Sequence, residues 1–187
     1  MAISSMKTGL IKRSLLVGNT AFNPSSYESI ASVTVGSGGS SSIEFTSIPA
    51  SYTHLQIRGI TSGGNLGYGC NIGFNSDTTS GNYKSHALFG DGSSPATDVG
   101  VRTIGLIGTN NGFAGFVIDV LDYANTNKYK TTRSLNGNDQ NGSGYLWFAS
   151  VLWMNTNAIS TITITTAGGS NTFNQYSQFA LYGIKGA

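Results

Sequence analysis

Charge is what this chain has least of. Only 10% of its 187 residues are Asp, Glu, Lys or Arg, against about a quarter in ordinary soluble domains. Ten bases and eight acids leave a net charge of +2, and there is no dense Lys/Arg stripe of the kind that binds nucleic acid. Cysteine is nearly missing. Cys70 stands alone, which excludes an internal disulfide and leaves it the role of a small buried hydrophobe. Histidine is limited to His54 and His86. With no HExxH and no CxxC, a zinc site and a metal cofactor are not expected. Long apolar runs are absent as well, so no helical membrane span is expected. In the leader, the apolar part after Arg13 is only Leu15, Leu16 and Val17, too short for a signal-peptide core. The expectation is synthesis in a cytoplasm without processing.

Catalytic patterns are equally thin. No G-x-S-x-G elbow is present, and the run Gly36-Ser37-Gly38-Gly39 opens no helix that could receive a phosphate. The closest acids, Asp119 and Asp122, fall at a strand end, where solvated carboxylates are ordinary. Asn75-Ser76-Asp77 and Asn136-Gly137-Asn138-Asp139 offer oxygens of the type calcium takes, but turns use the same residues. Asn141-Gly142-Ser143 matches a glycosylation sequon, which has no meaning without a secretory route. The chain is therefore expected not to be an enzyme and to need no cofactor.

What is abundant is Gly, Ser, Thr and Asn, nearly half of the chain, together with 11% aromatic residues. Low net charge with many aromatics argues against disorder and for a β-rich chain with many turns. Alternation begins at Ala31, Val33 and Val35, resumes at Ile43 and Phe45, and again at Leu55 and Ile57. Later strands are expected around residues 72–74, 83–89, 101–107, 113–121, 129–135, 145–154, 159–164 and 179–184, with polar loops at 75–82 and 136–144. No long amphipathic helix interrupts them. An all-β antiparallel sandwich of ten or eleven short strands follows, with a jelly roll as the leading topology.

Three bases, Lys7, Lys12 and Arg13, and no acid fall within the first 27 residues. Residues 1–26 are accordingly set apart as an N-terminal arm, and 27–187 as the sandwich domain. Strands at 116–121, 146–154 and 179–184 are apolar on both faces. A two-layer sandwich buries one face of each sheet, so the other needs a cover, and a homo-oligomer is the leading one. Trp147, Val151, Trp153 and Tyr182 are the candidate interface residues.

The segment IASVTVGSGGSSSIEFTSIPASYTHLQIRG together with the ending YSQFALYGIKG resembles virion structural proteins of tailed bacteriophages. The resemblance covers the body of the chain, with its motifs at the two ends, and those motifs are structural. It implies a β-sandwich that assembles on a particle, either as a capsid decoration (cement) protein or as a fibre module, and it carries over no catalytic residues. In the decoration reading the arm lies across the major capsid protein on the capsid exterior. Ile3, Met6, Leu10 and Ile11 then fill apolar grooves, Lys7, Lys12 and Arg13 meet acidic groups, and an oligomer, a trimer for instance, clamps neighbouring capsomers. In the fibre reading, loops at 75–82 and 136–145 contact host glycans.

Overall fold

The computed structural model describes residues 26–63, 69–105, 112–139, 141–167 and 171–186. Among them are eleven strands: β1 (Tyr27–Thr34), β2 (Ser42–Phe45), β3 (His54–Thr61), β4 (Cys70–Phe74), β5 (Tyr83–Gly90), β6 (Pro95–Gly100), β7 (Ala114–Leu121), β8 (Lys130–Asp139), β9 (Gly144–Trp153), β10 (Ile162–Thr166) and β11 (Gln178–Ile184). The one helical piece among the described residues is a single 3-10 turn at Ser80–Asn82. The chain is all-β and every strand pair is antiparallel. The arm set apart at 1–26 lies, but for Ser26, outside the described residues.

Two sheets form. The larger has the order β1-β11-β3-β7-β8-β9-β5-β6 and the smaller β2-β10-β4. Alternation in the sequence dictates how they meet. Leu55, Ile57, Ile118, Val120, Phe179 and Leu181 line the inner face of the large sheet, and Ile43, Phe45, Ile72, Phe74, Ile162 and Ile164 that of the small one. All are buried in one core, as two half-wet sheets require. The turn from β1 to β2 depends on glycine: Gly38 and Gly39 have φ of 96° and 73°, and a Cβ on Gly39 would lie 2.8 Å from the carbonyl oxygen of Phe173.

The pairings nest. β1 pairs with β11, β2 with β10, and β3 with β7. Innermost, residues 102–105 run beside β4: the Ile72 N–H donates to the Arg102 carbonyl at 3.0 Å, and the Ile104 N–H to that of Cys70 at 2.9 Å. Of the strand expected over 101–107, the described part, 101–105, forms only this short run, and residues 106 and 107 lie outside the described residues. β6 forms just before it, in a Ser/Pro/Asp stretch with no apolar alternation to reveal it. β8 likewise runs through Asp139, where a long loop was expected from 136. The cause is pairing: Gly137, Asn138 and Asp139 are held by Leu146, Tyr145 and Gly144 of β9.

β8, β9, β5 and β6 carry the large sheet past the small one. Phe74 of β4 still packs on Tyr83 and Trp153; loops close the rest of their inner face, which is polar along β8. Ser134 Oγ and Asn136 Nδ2 both donate to the Ile104 carbonyl, at 2.6 and 3.1 Å. Lys130 is fully buried, and its Nζ donates to the carbonyls of Asn125, Lys128 and Thr156. Burial pushes the pKa of that ammonium below its ordinary value, with the nearby Lys128 charge adding to the effect and Asp122 opposing it.

Candidate interaction surface

The four interface candidates do not share a face. Val151 and Trp153 point inward on β9 and are fully buried by the chain itself. Trp153 packs on Phe74 at 5.5 Å between ring centroids and on Tyr83 at 6.3 Å, and its Nε1 donates to Asp77 Oδ2 at 2.8 Å. Trp147 also turns inward, partly buried against the core and stacked on Phe89 at 4.1 Å. Tyr182 alone of the four points outward, stacked on Tyr27 at 4.8 Å. The expectation for β9 is thus corrected: both of its sides are apolar, and the chain itself covers the tryptophan side, through Phe74 of β4 and the loops. The uncovered side carries Leu146 and Phe148, neither of which is among the four candidates. The arm residues Ile3, Met6, Lys7, Leu10, Ile11, Lys12 and Arg13 lie outside the described residues.

The outer face of the extension is an apolar stripe in register. Val117 of β7 sits opposite Leu135 of β8, Leu135 opposite Phe148 of β9, and Phe148 opposite Leu88 of β5. One step along the strands the next row is Ile60, Gly115, Gly137, Leu146 and Gly90. Leu88, Leu146 and Phe148 are 52%, 61% and 48% exposed. Shallow grooves lie on either side of Leu146, one toward Leu135 and Gly137, the other toward Leu88 and Pro95. At the turn end, an open hollow of about 490 Å³ is lined by Asp91, Asn138, Asp139, Ser143 and Tyr145 among others.

The oxygen-rich loop at Asn75–Asp77 spends its oxygens within the chain. Asp77 Oδ1 accepts from the Thr79 N–H at 2.9 Å, and Oδ2 from Asn82 Nδ2 and Trp153 Nε1, each at 2.8 Å. These bonds, the one from Trp153 foremost, hold the Asp77 carboxyl at about 2. Asn75 Oδ1 accepts the backbone N–H groups of Ser160 and Thr161 at 2.9 and 3.1 Å. Among the described residues no group of three or more His, Cys, Asp or Glu is placed to hold a metal ion. Asp119 and Asp122 go separate ways: Asp119 accepts from Gln56 Nε2 at 2.6 Å, while Asp122 pairs with Lys128. His54 Nδ1 accepts the Asp122 N–H at 2.9 Å, so this imidazole serves to fix the turn after β7.

Among the described residues, no helix is long and apolar enough to cross a membrane. In comparisons with known proteins, no family model, no curated protein and no solved structure matches the chain.

Proposed function

We propose that this chain is a structural protein of a virus particle, a capsid decoration protein on the exterior of the shell, made in the cytoplasm of the host. The observation that carries the reading is the nesting of strand pairs across two sheets. A long antiparallel ribbon rolled on itself pairs its first strand with its last, its second with its second-last, and so on inward, which is the order of a jelly roll. In that reading β8, β9, β5 and β6 are added to the larger of its two sheets. Two further observations agree. The described polar clusters are consumed by turns and loop closures, and the large outward feature is an apolar sheet face in a chain poor in charge.

In this reading the partners are the major capsid protein and further copies of the chain, and each copy contributes little alone. Bound subunits favour the assembled shell by mass action, multiplied over many sites. The first test is copy number. Densitometry of purified particles is expected to give hundreds of copies, and a handful would exclude decoration. The second removes residues 1–20. The truncated protein is expected to keep its β-sheet circular dichroism and lose particle binding, and decoration by it would remove the arm from the mechanism.

The hollow at the turn end favours a second reading, a fibre tip that binds glycans. Tyr145 offers a half-exposed ring beside Asn138, Asp91 and Asp139, a set suited to a sugar face and its hydroxyls. Saturable binding of a host polysaccharide by the isolated protein, lost in Tyr145→Ala, would support that reading over decoration.

A further inference from the structure

Three features of the extension converge on one occupant. The first is shape. Six strands, β3 to β6 in sheet order, at about 4.8 Å spacing and about six residues deep, present a face of about 30 by 20 Å. That is on the order of 600 Å², close to the roughly 800 Å² per partner that standard specific interfaces bury. Its centre is the row Val117, Leu135, Phe148 and Leu88. Gly115 keeps the adjoining lane low, and nothing inside the chain demands a glycine there: a Cβ on it would touch nothing within 4 Å, and its φ is ordinary. Glycine inside a strand weakens it and is at home where another surface approaches closely.

The second is charge. Outside the apolar rows, one end of the face carries Lys84 on β5 and Arg133 on β8, with Asp119 of β7 directly opposite Arg133. The other end carries Asp91, just past β5, and Asp139, the last residue of β8. Lys84 and Arg133 form no ion pair among the described residues. Asp91 is held ionised by Ser93 and Ser94, with its carboxyl at about 2. The third is the protection of the edges. β6 begins at Pro95 and turns Asp98 to the inner side, opposite Ala87. β1 is bulged between Ser29 and Ala31, and β2 is four residues long. Inward charges, proline, bulges and short edge strands all discourage edge-to-edge pairing, so association through faces is favoured.

We propose that the outer face of the sheet from β3 to β6, centred on β7, β8, β9 and β5, docks a second copy of this chain, the two related by a twofold axis lying in the interface across the strands. That operation inverts strand direction. The Lys84/Arg133 end of one copy then meets the Asp91/Asp139 end of the other, and the central apolar rows meet themselves. A self-complementary patch of this kind is what a closed pair requires. The inference deepens the homo-oligomer part of the function proposed above and is independent of the particle, so it is tested on the isolated full-length protein in solution.

Sedimentation equilibrium is expected to give about 39 kDa, twice the 19.5 kDa of the chain. Leu88→Glu and Phe148→Glu change exposed positions and are expected to leave circular dichroism and melting intact. Each is expected to weaken self-association by at least about tenfold, as loss of a central apolar anchor does. Arg133→Asp and Asp139→Arg are each expected to weaken the pair, and the two together in one chain to restore it. Leu135→Cys, near the axis, is expected to cross-link copy to copy under oxidation. A monomeric wild type, a trimer, or a dimer indifferent to Phe148→Glu would overturn the proposal. So would a monomer that dimerises only after residues 1–25 are removed, since that segment would then be the occupant.

Discussion

At the scale of single residues, two polar side chains hold loops onto the extension. Asp77 ties the β4–β5 loop to Trp153 of β9 and to Asn82. Its carboxyl is depressed from 3.8 to about 2, so the unfolded chain takes up the proton first as the pH falls. Its contribution to stability is therefore full above about pH 4 and is lost on descending from about 4 to about 2. Denaturant melts of Asp77→Asn are expected to show a deficit against wild type at pH 7 that closes near pH 2. Asp91 titrates over the same range, so the difference between the two proteins, rather than the wild-type curve, isolates Asp77. Lys130 is the second. Its ammonium closes three carbonyls from two loops, and Lys130→Met would leave them unpaired, at an expected cost of about 2–4 kcal/mol. The sequence marks neither residue. A lysine opening a polar alternating strand is ordinarily a solvated one, and only the loops that fold over it, distant in sequence, make it internal.

At the scale of elements, the amphipathic strands were legible because alternation and burial share a period of two. β1, β2, β3, β7, β9 and β11 lie where the apolar alternation places them. β6 was not legible, because both of its faces are exposed and no hydrophobic pattern accompanies an exposed edge strand. The choice of face on β9 failed for a related reason. Its two sides are similarly apolar, so period alone could not say which would be covered, and the larger rings went to the core. Close packing can be tested in β3. A Cβ on Gly59 would lie 1.9 Å from the Gln178 carbonyl oxygen and 2.8 Å from the Phe116 ring. Gly59→Ala is expected to destabilise by about 1–3 kcal/mol through forced backbone and ring shifts, read as a lower denaturant midpoint at unchanged slope.

At the scale of the molecule, one half of the large sheet is a conventional sandwich layer and the other is a platform. The sandwich half is backed by an aliphatic core; the platform half shares that core through Tyr83, Val151 and Trp153 and is otherwise backed by loops and buried hydrogen bonds. Local opening of the platform is expected to be easier than global unfolding, because loops closed by polar contacts come apart before a continuous apolar core. Native-state hydrogen exchange should show the amides shared by β5 and β6 exchanging well ahead of those shared by β3 and β11. Equal protection across all eight strands would remove that division.

The outermost pair of the nest has one more consequence. Tyr27 lies opposite Ile184, the Lys185 N–H donates to the Ser26 carbonyl at 2.9 Å, and Lys185 Nζ reaches Glu28 at 2.9 Å. The two ends of the described chain therefore meet at one corner, seven strand spacings, or about 34 Å, from β6. A short linker could join residue 186 to residue 26 and new termini could be cut at 141–143 without breaking a single strand pair. Whatever is joined at residue 26 or at residue 186 is joined at that one corner, with the far edge of the sheet on the opposite side.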